Sequence, residues 1–250
     1  MERKGEGTMD KLYIVIPAYN EQETIQSVIE DWHPVAVAAG ADSRLVIIDD
    51  GSKDNTYAML QEAQEKYPQL IALTKPNGGH GATLLYGYNY ALEQGADYVF
   101  QTDSDGQTKA EEFAEFWELR KEYAMVIGHR SKREDGASRV FVTKTLKLVC
   151  FLLFHVKLTD ANTPFRLMQA EELKKVLPLI PKDYNLSNVV ISVIFAKKKL
   201  AVKYIPITFR PRQGGVNSIN MKRIFKIGKK AVGDFIKINK MVNAACKKEK

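Results

Sequence analysis

The chain has 250 residues, 45% of them apolar, which is enough for one substantial core or one domain with an appendage. Its formal charge of +7 is uneven: residues 220–250 hold ten Lys or Arg against Asp234 and Glu249, so that tail carries +8 and the first 219 residues about −1. A nucleic-acid binder needs basicity on its folded body, so nucleic acid is excluded as the expected partner; no apolar run is long enough to span a membrane, and the distant Cys150 and Cys246 fit a reducing cytosol better than a disulfide framework or zinc site.

Residues 1–9 lack an apolar signal region and read as a flexible leader, with Met9 as an alternative start. From there strands and helices alternate. "LYIVIP" is a strand and "EQETIQSVIEDW" a helix. "RLVIIDD" is a second strand, and "DNTYAMLQEAQEKY" a second helix with Asp54 or Asn55 as its N-cap. "LIAL" is a third strand, before a helix over 80–95 closed by Gly95. "DYVFQT" is a fourth strand, "KAEEFAEFWELRKEY" a fourth helix and "AMVIG" a fifth strand. Strands apolar on both faces and separated by helices predict a parallel sheet covered on both sides.

After Gly128 the pattern changes. Residues 129–139 read as a polar loop, "VFVTKTLKLVCFLLFHV" as an apolar helix and "TPFRLM" as a strand. "SNVVISVIFAKKK" reads as a helix, "VKYIPITF" as an edge strand because of Pro206, and residues 221 to about 242 as a final helix.

In an open parallel sheet, ligands bind beyond the carboxyl ends of the strands. Three polar clusters fall there: Pro17 to Glu21, Asp49 to Ser52, and Asp103 to Gln107. Asp103 and Asp105 can aim at one point, with Gln107 adding a carbonyl oxygen. Oxygen-only donors, without His or Cys, suit Mg²⁺ or Mn²⁺, and a set this small is half a site that a substrate diphosphate completes. The competing reading is a solvated acidic turn. Asp49 and Asp50 end a buried strand, where an acidic residue accepts hydrogen bonds from a ribose or base; capping of the next helix accounts for one of them but not both. "PNGGHGA" either offers backbone N–H groups to an anion or forms a flexible turn.

"VIPAYNE", "IIDDGSKDNT" and "TDSDGQ", in this order and at these spacings, resemble the family 2 glycosyltransferases of GT-A fold. "GHR" (128–130), "DANTPFRLM" (160–168) and "FRPRQGGVNS" (209–218) resemble the polyprenyl-phosphate or dolichyl-phosphate hexose synthase branch. The resemblance implies an α/β fold of nucleotide-sugar-binding type, with a mostly parallel central sheet and helices on both faces, to which the tail's own spacing adds a C-terminal amphipathic helix. It implies an inverting, metal-dependent transfer of a hexosyl group from a UDP- or GDP-type sugar. Carried over residue by residue, Pro17, Tyr19, Glu21 and Asp50 hold the nucleoside, with Asp49 and Ser104 beside them. Asp103, Asp105 and Gln107 hold Mg²⁺ or Mn²⁺. Arg130 and Arg212 face phosphates, and Asp160 and Arg166 lie near the acceptor or the diphosphate. Gly106, Thr108 and "TPFR" depart from the commonest pattern of the branch.

A hydroxyl acceptor needs a general base, for which Asp160 is the candidate. A phosphate acceptor is already anionic near neutral pH and needs cations instead. His129, Arg130, Lys132, Arg133 and Arg139 supply them, which favours polyprenyl phosphate. The alternatives are transfer to a glycan hydroxyl and a non-catalytic nucleotide-sugar-binding or membrane-docking module. In the tail, Ile224, Ile227, Ala231, Phe235, Ile238 and Val242 form one helical stripe surrounded by lysines. That stripe either lies on an anionic membrane surface, packs on the body, or joins a homo-oligomer. The expected organisation is a leader over 1–9, a catalytic domain over 10–212 and a basic helix over 213–250, with the protein cytoplasmic and peripheral to the inner face of the membrane.

Overall fold

The computed structural model describes residues 9–130, 137–210 and 221–248. Among these, seven strands form one sheet in the order β3-β2-β1-β4-β6-β5-β7. They are β1 Leu12–Ala18, β2 Arg44–Asp49, β3 Leu70–Thr74, β4 Tyr98–Gln101, β5 Met125–Arg130, β6 Arg166–Gln169 and β7 Val202–Ile207. β1, β2, β3 and β4 run parallel, and so do β5 and β7. β6 enters between β4 and β5 antiparallel to both. β7, which carries Pro206, lies at the edge, as a strand with a missing amide donor must.

The side-chain period of two divides the core. Leu12, Ile14 and Ile16 of β1 face one layer, with Leu45 and Ile47 of β2. α1 (Ile25–Ala39), α2 (Thr56–Lys66) and α4 (Phe113–Glu118) cover that layer. Tyr13, Val15, Val46 and Ile48 face the other. There α3 (His80–Glu93), α5 (Ala137–Phe154), α6 (Ala170–Val176), α7 (Ser187–Lys197) and α8 (Met221–Lys248) pack.

Several element boundaries differ from the sequence expectation. α1 continues past Pro34 to Ala39, because Pro34 sits on the exposed side while the stripe Ile25, Val28, Ile29, Trp32, Ala36 and Ala39 stays buried beyond it. The fourth helix is only six residues long, between 3-10 turns at Ala110–Glu112 and Leu119–Lys121. Only Phe113 and Phe116 of it are buried, so one turn is anchored and the flanks tighten. α8 runs to Lys248, and Phe235, Ile238 and Val242 are buried in the same core as α5 and α7. That half of the expected lipid-facing stripe is therefore covered by protein. Phe235 meets Phe154 of α5 with ring centroids 5.6 Å apart.

Candidate active site

β1, β2 and β4 are parallel neighbours, so their carboxyl ends open at one edge of the sheet. The loops after β1 and β2 are laced together there. The Asn20 N–H donates to Ser52 Oγ (2.9 Å), the Lys53 N–H to Asn20 Oδ1 (2.8 Å) and the Glu21 N–H to Thr56 Oγ1 (2.8 Å). Asn20 accepts the left-handed conformation (φ 54°) that this exchange requires. Pro17 lies inside β1, buried, and Tyr19 projects from its end with 42% of its surface exposed. Glu21 is buried, and the Thr24 hydroxyl lies 3.0 Å from its carboxylate and 2.9 Å from the Ser104 carbonyl. The first and third clusters are thereby joined.

Asp49 and Asp50 both have internal partners. Asp49 accepts the Thr74 hydroxyl (2.9 Å) and the Ser52 N–H (3.2 Å), closing the turn and tying β2 to β3. Asp50 accepts the N–H groups of Gly78 (2.9 Å) and Gly79 (2.8 Å) and pairs with the Lys75 ammonium. The Gly-rich loop does offer backbone donors to an anion, and that anion is the Asp50 carboxylate. Burial opposes its charge, but Lys75 and the glycine amides outweigh burial and hold its carboxyl below the usual range. Gly51 makes the exit possible: its φ is +68°, and a Cβ there would come within 2.9 Å of the Asn77 nitrogen.

Asp103 and Asp105 follow β4. Asp103 is partly open, and its Oδ1 lies 3.0 Å from His80 Nε2, at the first residue of α3. Asp105 Oδ1 accepts the Gln107 N–H (3.2 Å). Ser104 between them is buried. Gln107 is turned toward Arg210: its side-chain amide donates to the Arg210 carbonyl (3.1 Å), and its own carbonyl accepts the Arg210 N–H (2.8 Å). The side chain expected as a third oxygen donor thus ties this turn to the segment after β7. The Thr102 and Thr108 hydroxyls, 2.7 Å apart and buried, close the turn beneath.

Arg166 opens β6 opposite Gln101 of β4 and is fully buried. Its guanidinium donates to the carbonyls of Thr163 (2.7 Å), Ala161 (3.3 Å) and Asn188 (3.0 Å) and to Ser192 Oγ (3.3 Å). Expected beside the acceptor or diphosphate, it instead clamps the 161–163 loop to α7 from inside. Burial pushes the guanidinium below its ordinary range, while nearby Tyr88, Asp160, Tyr204 and Asp103 act the other way. Asp160 is buried in that loop, with Oδ1 accepting the Asn162 N–H (3.3 Å). Arg212, Lys132 and Arg133 lie outside the described residues, as do the side chains of Arg130, Arg139, Ile224, Ile227 and Ala231. Sequence reasoning passed over His80 and Lys75. Their signal was position: each falls just after a strand or at a helix start on the same edge.

Residues 13–182 match the family model for glycosyl transferase family 2. The chain is 31% identical over 222 residues to the UDP-N-acetylglucosamine–dolichyl-phosphate N-acetylglucosaminyltransferase of Methanococcus voltae, covering 79% of this chain and 85% of that one. It is 24% identical over 220 residues to the polyprenol monophosphomannose synthase of Mycolicibacterium smegmatis, covering 84% and 82%. It is 25% identical to the undecaprenyl-phosphate 4-deoxy-4-formamido-L-arabinose transferase of Pectobacterium atrosepticum, of whose length it spans 60%. Among solved structures, glucosyl-3-phosphoglycerate synthase from Mycobacterium tuberculosis with UDP superposes with a TM-score of 0.65 at 16% identity, over 96% of this chain and 86% of that one. The same enzyme has been solved with Mn²⁺ and UDP-glucose. At that identity the likeness is one of fold, and the fold is that of the GT-A enzymes expected from the strand-end motifs. With the family model matched over well more than half its length, the chain belongs to glycosyl transferase family 2.

Proposed function

We propose that this protein transfers a hexosyl group, with inversion, from a nucleoside-diphosphate sugar to polyprenyl phosphate. The observation that carries the reading is the edge beyond β1, β2 and β4, where two laced loops form one wall and Asp103 and Asp105 stand at the other. The names of the relatives, which act on dolichyl, undecaprenyl or polyprenol phosphate, support the acceptor class. The exposed Tyr19 ring offers a face for the base. Asp50 acts by fixing the loop that opens α3. The carboxylates of Asp103 and Asp105 fit a divalent ion by donor chemistry, and neighbours of this fold hold Mn²⁺ with UDP or UDP-glucose. Such an ion, when bound, supplies Lewis-acid charge at the leaving diphosphate.

A phosphate acceptor needs no general base, and Asp160, buried and turned to a backbone N–H, is poorly placed to be one. Asp160→Asn is expected to keep transfer; loss of transfer with donor binding intact would favour a hydroxyl acceptor. The lipid partner is met by a surface other than the Phe235, Ile238 and Val242 part of the stripe, which is buried. Leu148, Phe151 and Leu152 of α5 and Ile236 and Met241 of α8 are exposed, beside exposed Lys144, Lys237 and Lys240. The Asn239 side chain donates to the Leu153 carbonyl (2.7 Å), which holds the two helices together at this surface. Apolar side chains flanked by lysines suit an anionic leaflet, each lysine contributing about 1 kcal/mol. No described helix is long and apolar enough to cross a membrane.

The test is a thermal-shift screen of UDP-, GDP- and dTDP-sugars with and without Mn²⁺, on wild type and Asp105→Ala. Stabilisation that needs one nucleotide and the metal, and is lost in the variant, supports the donor site; radiolabelled transfer to polyprenyl phosphate follows. Stabilisation by no nucleotide sugar under any metal condition would sink the reading.

A further inference from the structure

We propose that His80 is a nitrogen ligand of the divalent ion, and that this chain therefore prefers Mn²⁺ to Mg²⁺; the inference rests on the ion-assisted transfer proposed above. Among the described residues no group of three His, Cys, Asp or Glu side chains is assembled around a point. What is assembled is a pair. His80 Nε2 and Asp103 Oδ1 are 3.0 Å apart, and both side chains are accessible, 51% and 28% exposed. Neighbouring donors of an octahedral ion with bonds of ~2.1 Å stand about 3 Å apart. The pair is joined by a hydrogen bond of that length, and the same separation suits two donors on one edge of a coordination octahedron once the ion takes the place of the proton between them. Asp105 Oδ1, in contrast, is turned to its own turn at Gln107.

The imidazole is held in place by its neighbours in the chain. Gly79, before it, has φ +87° and gives its N–H to Asp50. Gly81, after it, lies so close to Tyr184 and Asn185 that a Cβ would come within 2.4 Å of the Tyr184 carbonyl. The first turn of α3 is therefore wedged on both sides, and His80 leaves it toward Asp103. An imidazole in the donor set changes ion preference. Oxygen-only sets suit Mg²⁺ and Mn²⁺ alike, whereas imidazole nitrogen favours transition ions. The carboxylates of Asp103 and Asp105 and the His80 imidazole would share the ion, and substrate phosphate and water would fill the remaining positions.

The test uses the full chain with Mn²⁺ and UDP, read by electron spin-echo envelope modulation. Wild type is expected to show ¹⁴N modulation from a directly bound imidazole. His80→Ala should abolish it, weaken Mn²⁺ binding by at least about tenfold and narrow the Mn²⁺-over-Mg²⁺ preference seen in competition. His80→Gln retains an N–H donor for Asp103 and should not recover the imidazole ¹⁴N modulation. Mn²⁺ bound to wild type without ¹⁴N modulation, or full affinity in His80→Ala, would reduce His80 to a hydrogen-bond partner of Asp103 and overturn the inference alone. No Mn²⁺ binding by wild type would overturn the ion-assisted reading together with it.

Discussion

Asp50 and Gly79 are 29 residues apart in sequence and joined by a 2.8 Å hydrogen bond from the glycine N–H to the aspartate carboxylate. Through it the end of β2 positions the start of α3, and with it His80. The charge on Asp50 matters to this joint. Its carboxyl is held below the ordinary carboxylate range, so it stabilises the fold above that range and the contribution is lost as pH falls through its depressed value. Asp50→Asn should lower the thermal midpoint at neutral pH and flatten its fall on acidification. A wild-type-like slope between pH 5 and 2 in the variant would contradict the assignment.

Arg166 is expected to be a stability residue first. Arg166→Met takes the guanidinium from the buried Thr163 carbonyl, while the Ser192 hydroxyl still reaches the carbonyls of Ala161 and Asn188. The cost should be about 1–3 kcal/mol, the range for one unsatisfied buried acceptor. Urea unfolding measures it. An unchanged midpoint with lost transfer would instead mean that the guanidinium turns outward to substrate.

The two faces of the α5–α8 pair should separate under mutation. Phe235→Ala removes a fully buried ring and should cost about 3–5 kcal/mol in folding. The triple change Leu148→Glu, Phe151→Glu and Leu152→Glu touches exposed side chains and should leave the midpoint nearly unchanged. It should weaken binding to anionic vesicles, read by sedimentation, by about tenfold or more. Equal vesicle binding by wild type and the triple variant would remove α5 from the lipid-facing surface.

Beneath the site, the Tyr88 hydroxyl donates to Gln101 Oε1 at 2.6 Å, both fully buried, and Gln101 Nε2 is among the buried atoms with no partner. Burial raises the Tyr88 phenol well above its ordinary value, so it stays a donor at any working pH. Tyr88→Phe should destabilise by about 1–3 kcal/mol. Adding Gln101→Leu should restore part of that loss, because the orphaned amide leaves with its partner. A double variant worse than the sum of the single changes would refute this pairing.

The strand-end clusters were legible because parallel strands have a fixed polarity: a strand apolar on both faces followed by Asp or Pro-x-Tyr-Asn declares both its burial and its open end. The direction of β6 was not legible. "TPFRLM" reads the same in either sense, and only its pairing with β4 and β5 shows it to be antiparallel. The roles of Asp49 and Arg166 were hidden for a related reason. A carboxylate or guanidinium is chemically suited to substrate and scaffold alike, and partners such as Thr74 and Ala161 are bland in sequence. The tail showed its periodicity plainly, but a stripe such as Phe235, Ile238 and Val242 looks identical whether lipid or α5 covers it.

The placement of β6 also sets the order in which the molecule can be built. β1 through β4 pair among themselves from residues 12–101, and their far side then waits. β5 emerges next but cannot join β4; its place is one strand further out. Until residues 166–169 arrive to fill the gap, the growing chain presents β4 as an open edge, able to recruit a wrong partner. The long-range closure of β4 on β6 is therefore the expected slow event of folding, and the interval before it is when the nascent chain most needs protection from aggregation.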